Sequence, residues 1–309
     1  MRALMALLSQ PAFDGYPDEY LLARLKGRRA KLGSKRQSKA AAAGKTDADA
    51  WDTMRSEFRW VYCQMNGRLR QTFAPLFLWF ELRTITLCLR FRRGGELGKA
   101  AGLLPASLLS KRVQQALTED DEPAAVIAAL SGLLAAVAEP YRALGDSYRQ
   151  RGGREQEQRL VTLYLERMTG LPLHPVLSEF FRSLIDMRNL VTLAKQLRWQ
   201  LHEPQAFIRG GEIAPERLGR VLAEGSAADL ASLLAALPDM GELPAATLNP
   251  EPQLYGWLTA KVHRLGRDPL GIGLVLDYLW RCFIEAHNLS LSIHGEGLDH
   301  ETLRPEMIG

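Results

Sequence analysis

The chain has 309 residues, 47% of them hydrophobic and 24% charged, with a formal net charge of +4 and a pI near 9.0. That composition supports a sizeable core in one to three domains and excludes a chain too polar to fold. So small a net charge excludes a polyanion partner argued from global charge alone. The three cysteines, Cys63, Cys88 and Cys282, are scattered and flanked by apolar residues. They predict reduced, buried thiols in a cytoplasmic protein, with neither a disulfide nor a metal site.

In chain order, the opening "MRALMALLSQPAF" holds an apolar patch too short for the core of a secretion signal. "YLLARLKGRRAKL" predicts a short amphipathic helix with Leu21, Leu22, Leu25 and Leu32 on its apolar side. Residues 35–50, "KRQSKAAAAGKTDADA", carry no large apolar side chain and predict a flexible surface loop. With Arg24, Lys26, Arg28, Arg29 and Lys31 they make this the most basic part of the chain. It reads as a solvated helix face with a mobile segment, or as a contact for an acidic surface or anionic headgroups. No aromatic residues interleave to stack on bases, which argues against nucleic acid.

Apolar residues recur every three or four positions through most of the chain, and alternating β-branched runs are scarce, so the fold class is all-α. The run Ala124–Ala138 is too short and too rich in alanine to cross a bilayer and predicts a buried helix. No segment predicts a direct membrane span. Leu177, Phe180, Phe181, Leu184, Met187, Leu190, Val191 and Ala194 form a broad helical stripe. Trp79, Trp199, Trp257 and Trp280 lie in such helical apolar settings and predict core residues.

Internal repetition is the most informative pattern. Phe80-Glu81-Leu82-Arg83-Thr84-Ile85 aligns with Ile185-Asp186-Met187-Arg188-Asn189-Leu190 and with Ile284-Glu285-Ala286-His287-Asn288-Leu289. Each reads apolar, acid, apolar, basic or His, Asn or Thr, apolar. Glycine turns follow at "RGGEL", at "RGGEI" (Gly210 and Gly211) and at "HGEGL". An amphipathic helix, a Gly/Pro break and a long helix precede the second and third copies, with Asp268 expected as N-cap and Pro269 at the first helical position. The first copy aligns less well, because Pro75 lies close to Glu81. The expectation is one all-helical domain of three repeat units, 1–100, 101–205 and 206–309, packed as bundles about a pseudo-threefold axis.

The spacing puts Asp186 with Asn189, and Glu285 with Asn288, on one helical face. Two readings of that step stand. The side chains satisfy backbone groups near the glycine turns, or they line a surface that grips a partner. Catalysis is disfavoured, because the acids fall in separate repeats and no nucleophile–base pair recurs. The RGGE turns lack the strand context and the GK[ST] spacing of a phosphate loop, and predict helix stops with left-handed glycine. The six histidines show no ligand spacing, so no catalytic residue, cofactor or metal is expected.

These features together resemble the C subunits of the bacterial and archaeal V/A-type rotary ATPases, whose counterpart in the eukaryotic V-ATPase is the d subunit. "DEYLLARLKGRRAKL", "LIDMRNLVTLAKQLR", "FIRGGEI" and the block from Asp268 to Arg304 carry the resemblance, with Tyr278, Glu285, Asn288 and Leu289 at matching positions. It implies a funnel-shaped cap of three similar helical bundles without an active site. It implies, too, a place on the cytoplasmic end of the membrane c-ring, seating the D–F shaft and transmitting torque for proton or sodium transport, with the a subunit nearby. The loop at 35–50 stands where that family has more helix, and His287 stands where it has a basic residue. A helical adaptor of the same fold outside any rotary ATPase is the alternative, and a helical enzyme with an unrecognised pocket is a third.

Overall fold

Apolar spacing of three and four residues carries into helices throughout a computed structural model of the chain. It describes residues 2–32, 46–119, 122–200, 206–225, 227–238, 240, 249–295, 303 and 306–308. Among the described residues the order is α1 (Arg2–Met5), α2 (Asp18–Leu32), α3 (Asp47–Gln64), α4 (Gly67–Arg93), α5 (Leu97–Leu103), α6 (Lys111–Thr118) and α7 (Pro123–Ala135). A 3-10 turn (Glu139–Ala143) then leads to α8 (Leu144–Thr169), α9 (Pro175–Trp199), α10 (Pro215–Glu224), α11 (Ala227–Ala235), α12 (Glu251–Leu265) and α13 (Gly273–His294). No strand occurs among them, so the all-α expectation holds. Two units form, one from Met1–Leu21 with Arg55–Leu173, the other from Leu22–Met54 with His174–Gly309.

In the first unit α4 is the central element, packing on α1, α5, α6, α7 and α8. It starts cleanly because Asn66 accepts the Leu69 N–H at 2.9 Å, which satisfies one of the orphan amides of a helix start. Phe73, Leu76, Phe77, Leu82 and Ile85 are buried along it, and Phe58 and Tyr62 of α3 meet Phe77 edge-on at 6.2 and 5.1 Å. Pro75 sits inside α4, and the buried Tyr164 hydroxyl donates to its carbonyl at 2.5 Å. The break that opens the first long helix is therefore at Met65–Asn66, and Pro75 lies within the helix. Among the described residues α4 is the one helix long and apolar enough to cross a bilayer, but 72% of its apolar window is buried, as a core helix requires.

At its far end Gly95 takes a left-handed φ of 74° and the Glu96 N–H reaches back to the Phe91 carbonyl at 2.8 Å, so the first glycine turn is the expected helix stop. Just before it, Arg90 forks onto Glu157 at 2.6 and 2.9 Å, and Arg93 joins the same carboxylate. This ties α4 to α8.

The second unit is built on α9, α12 and α13. The predicted stripe of α9 is buried from Leu177 to Ala194, with Val191 half-buried. Phe180 meets Trp280 of α13 at 5.6 Å, and the Trp280 indole donates to the buried Thr259 hydroxyl of α12 at 2.9 Å. Beneath them Asp277, fully buried, accepts from Arg29 of α2 at 2.8 Å and from Arg281 at 3.0 Å, and pairs with His263. Burial alone would push this carboxyl up, but the hydrogen bonds and charges of His263 and Arg281 hold it below the usual range. Arg29 also donates to the Gly266 carbonyl at 2.9 Å. Part of the basic stretch is thus structural.

Several expectations change. Residues 33–45 of the predicted loop lie outside the described residues, but helix α3 already begins at Asp47, within the segment expected to be loop. Thr46 and Asp49 make a reciprocal capping box there, at 2.8 and 3.2 Å, and Ala50 is buried. The run from Ala124 is helical, α7 ending at Ala135, but it buries one face only: Val126, Ile127, Leu130, Ser131 and Leu134 are buried, whereas Ala124, Ala125, Ala128, Ala129 and Gly132 are exposed. Trp257 and Trp280 are core residues and Trp79 is half-buried, but Trp199 is 56% exposed, since the last turn of α9 runs past the buried stripe. Asp268 is not the cap of the last helix: it holds the Leu270 N–H at 3.0 Å in a turn, and α13 starts at Gly273. Cys88 and Cys282 are buried and Cys63 is half-buried, all three as free thiols.

Helix α13 can start there only because residue 273 lacks a Cβ, which would stand 2.0 Å from the Leu265 carbonyl oxygen. Gly273→Ala must push α12 and α13 apart and should cost about 2 kcal/mol or more, lowering the thermal midpoint by several degrees. Gly132→Ala, inside α7 with open space at its Cβ, should gain up to about 1 kcal/mol. Thermal melts of the two variants check both signs.

Candidate functional site

The recurring polar step lies on three long helices, α4, α9 and α13. On α9, Asp186 and Asn189 are 2% and 1% exposed. They face a segment that is neither helix nor strand, whose peptide groups must find partners elsewhere. Asn189 supplies both at once: its amide donates to the Ile208 carbonyl at 2.8 Å and its oxygen accepts the Ile208 N–H at 2.9 Å. Asp186 accepts the N–H groups of Glu212 and Ile213, each at 3.0 Å. Four hydrogen bonds from one helix face therefore hold 208–213 in a single conformation.

The RGGE sequence makes this approach possible. Gly210 has a φ of 101°, and a Cβ on residue 211 would stand 2.2 Å from the Asp186 carboxylate. The turn does not stop the helix, as expected from sequence; α9 has already ended at Trp199, with Gln200 in the left-handed conformation. The amides just after the glycines bind an anion, but that anion is the chain's own Asp186.

The same contacts recur in part on the other two helices. Asn288 donates to the Ile308 carbonyl at 2.8 Å and accepts its N–H at 3.0 Å. The reach along the chain is 20 residues, against 19 from Asn189 to Ile208. Glu81, 6% exposed, accepts the Leu108 N–H at 2.6 Å. Its reach is 27 residues, the same as from Asp186 to Ile213. At the Asn position of this copy Thr84 is buried, and its shorter side chain forms no such double clasp. The third copy's glycine, Gly295, caps α13 with a right-handed φ of −88°, so it is not a left-handed stop.

The basic position of the step is not used in a common way. Arg83 is exposed, and Arg188 is half-buried, its guanidinium pKa lowered by that burial. His287 is stacked against Tyr255 and Phe283 at 5.6 and 6.2 Å, filling an aromatic layer where the related motif carries a cation. Glu285 is half-buried on α13. His174 caps α9 by accepting the Val176 N–H, whereas His263 belongs to the Asp277 cluster, so the two do different work. His202 and His300 lie outside the described residues. No group of three or more His, Cys, Asp or Glu side chains converges to hold a metal among the described residues.

What the arrangement does chemically is bind peptide groups. Sequence reading missed the Asp277 and Glu157 clusters. The i, i+4 pair Asp277–Arg281 was readable, but Arg29 lies 248 residues away, and Arg90 lies 67 from Glu157.

Asn189→Ala strands a buried N–H and a buried C=O and should cost about 2–4 kcal/mol, seen as a lowered denaturation midpoint. Burial pushes the Asp186 carboxyl up to about 6, against the pull of its two amide donors. A folded-state pKa above the unfolded value means the folded chain binds that proton more tightly, so this group's contribution to stability falls as pH rises through that range. The stability gap between wild type and Asp186→Asn should therefore be wider near pH 4.5 than at pH 7, measured by urea denaturation at both.

Family comparison bears on the same elements. No curated protein matches the chain. A family model described as ATP synthase (C/AC39) subunit matches residues 27–296, a span that includes the step on all three helices and the RGGE turn. The chain belongs to the ATP synthase (C/AC39) subunit family, the C and d subunits of the V/A-type rotary ATPases.

Proposed function

We propose that this chain is the non-catalytic central-stalk connector of a V/A-type rotary ATPase. It seats the D–F shaft on the c-ring, on the cytoplasmic side of the membrane, and transmits torque for ATP-coupled proton or sodium transport. The observation that carries the reading is the family match over residues 27–296. The residues agree with it. The acid and Asn of the step are spent on holding backbone, in the manner expected of a scaffold rather than of a reaction centre.

Full-length tagged chain, recovered from detergent-solubilised membranes, should bring down the D and F shaft proteins and migrate with the c-ring on a native gel. A soluble monomer, recovered without them from cells that make the complex, would overturn the connector and favour a helical adaptor of the same fold. Asp186→Ala should lower the chain's melting temperature while ATP hydrolysis by the isolated catalytic head stays unchanged, since the carboxylate accepts from the chain's own Glu212 and Ile213 N–H groups. Lost coupling at an unaltered melting temperature would move the step to an interface.

A further inference from the structure

Phe13, Tyr16 and Tyr20 form a continuous line of rings, 5.2 and 4.6 Å between centroids. Phe13 is 51% and Tyr20 48% exposed. Side chains of this size are normally covered, and Tyr and Phe on a firm base are the residues that anchor protein interfaces.

The base is firm. The Tyr16 N–H donates to the Gln64 carbonyl at 2.9 Å, Asn66 donates to the Tyr16 carbonyl at 3.3 Å and to Asp18 at 2.7 Å, and Arg70 donates to the Phe13 carbonyl. Gly15, at a φ of 80°, lies so close that a Cβ would stand 2.1 Å from the Met65 carbonyl oxygen. The backbone is thus bolted to the start of α4 while two of its rings face outward. These residues lie before the matched span 27–296.

Charge selects the occupant. Residues 11–20 contain Asp14, Asp18 and Glu19 and no Lys or Arg. Asp18 is paired with Arg68, while Asp14 and Glu19 are exposed beside the rings. Acids so placed repel an anionic lipid surface or a nucleic acid and attract cations. We propose that the Phe13–Tyr20 ridge is a docking surface for another protein that presents an apolar patch rimmed with Lys or Arg. On the connector reading, that protein is a neighbouring member of the rotary complex.

The test uses the full chain with Phe13→benzoylphenylalanine, a photo-cross-linker, expressed in cells that make the complex. The adducts are sequenced by mass spectrometry. The expected adduct is to an apolar, Lys- or Arg-flanked peptide of another protein of the complex. Asp14→Lys with Glu19→Lys should cut its yield about tenfold at an unchanged melting temperature, and Tyr20→Ala should cut it similarly. Absence of an adduct, adducts only to lipid or to a second copy of this chain, or a yield indifferent to the charge reversal would overturn the ridge. If D and F co-purify while no adduct forms, the ridge falls and the connector stands. A charge-sensitive adduct to a peptide of this kind from outside the rotary complex leaves the ridge standing and overturns the placement of its partner within the complex.

Discussion

A peptide group buried outside helix or sheet has to find its hydrogen-bond partner on a side chain, and much of this molecule answers to that requirement. The described residues contain no strand, so connecting segments that enter the core have no ladder to join. Asn189 and Asn288 take over the ladder's role, each offering one donor and one acceptor to a single residue, Ile208 or Ile308. Asp186 and Glu81 do the acceptor half alone. Removing Asn189 or Glu81 leaves buried polar atoms without a partner, and this makes the cost large beside an ordinary surface change. It also explains why an acid and an amide sit beside an apolar stripe that would otherwise exclude them.

The ionic clusters answer a related constraint. A carboxylate can be buried only when enough donors surround it, and Asp277 collects Arg29, Arg281 and His263 for that purpose. Through them α2, α12 and α13 are joined at one buried point. Glu157 does the same for α4 and α8. A part proposed to carry torque needs its helices fixed against sliding, which directional hydrogen bonds supply better than apolar contact alone. Such clusters impose register as well as contact.

Much of this was readable from residue order. The all-α class, the buried stripe of α9, the helical state of α7 and the recurrence of the polar step follow from local periodicity. So does the shared face of Asp186 and Asn189, because the i, i+3 spacing needs only helix geometry. What the step faces was not readable, since Ile208, Leu108 and Ile308 are met at 19 to 27 residues' distance across a change of direction. The glycine turn at 210–211 looked like a helix stop for the same reason. Its true constraint is an approaching carboxylate from another element, which leaves no mark in the local sequence.

Sequence alone thus determined the all-α class, the buried stripe of α9 and the family the chain joins, because each depends on near neighbours and their spacing. Tertiary structure decided what the polar residues hold, where α13 could start against the end of α12, that Trp199 would be exposed, and that Arg29 would serve a buried Asp277. Those outcomes depend on which elements approach each other. That is settled by burial and hydrogen-bond satisfaction over the whole chain rather than by any short stretch of it. The acid–basic–Asn step shows both halves: its placement on a helix is local, and its work as a backbone clasp is not.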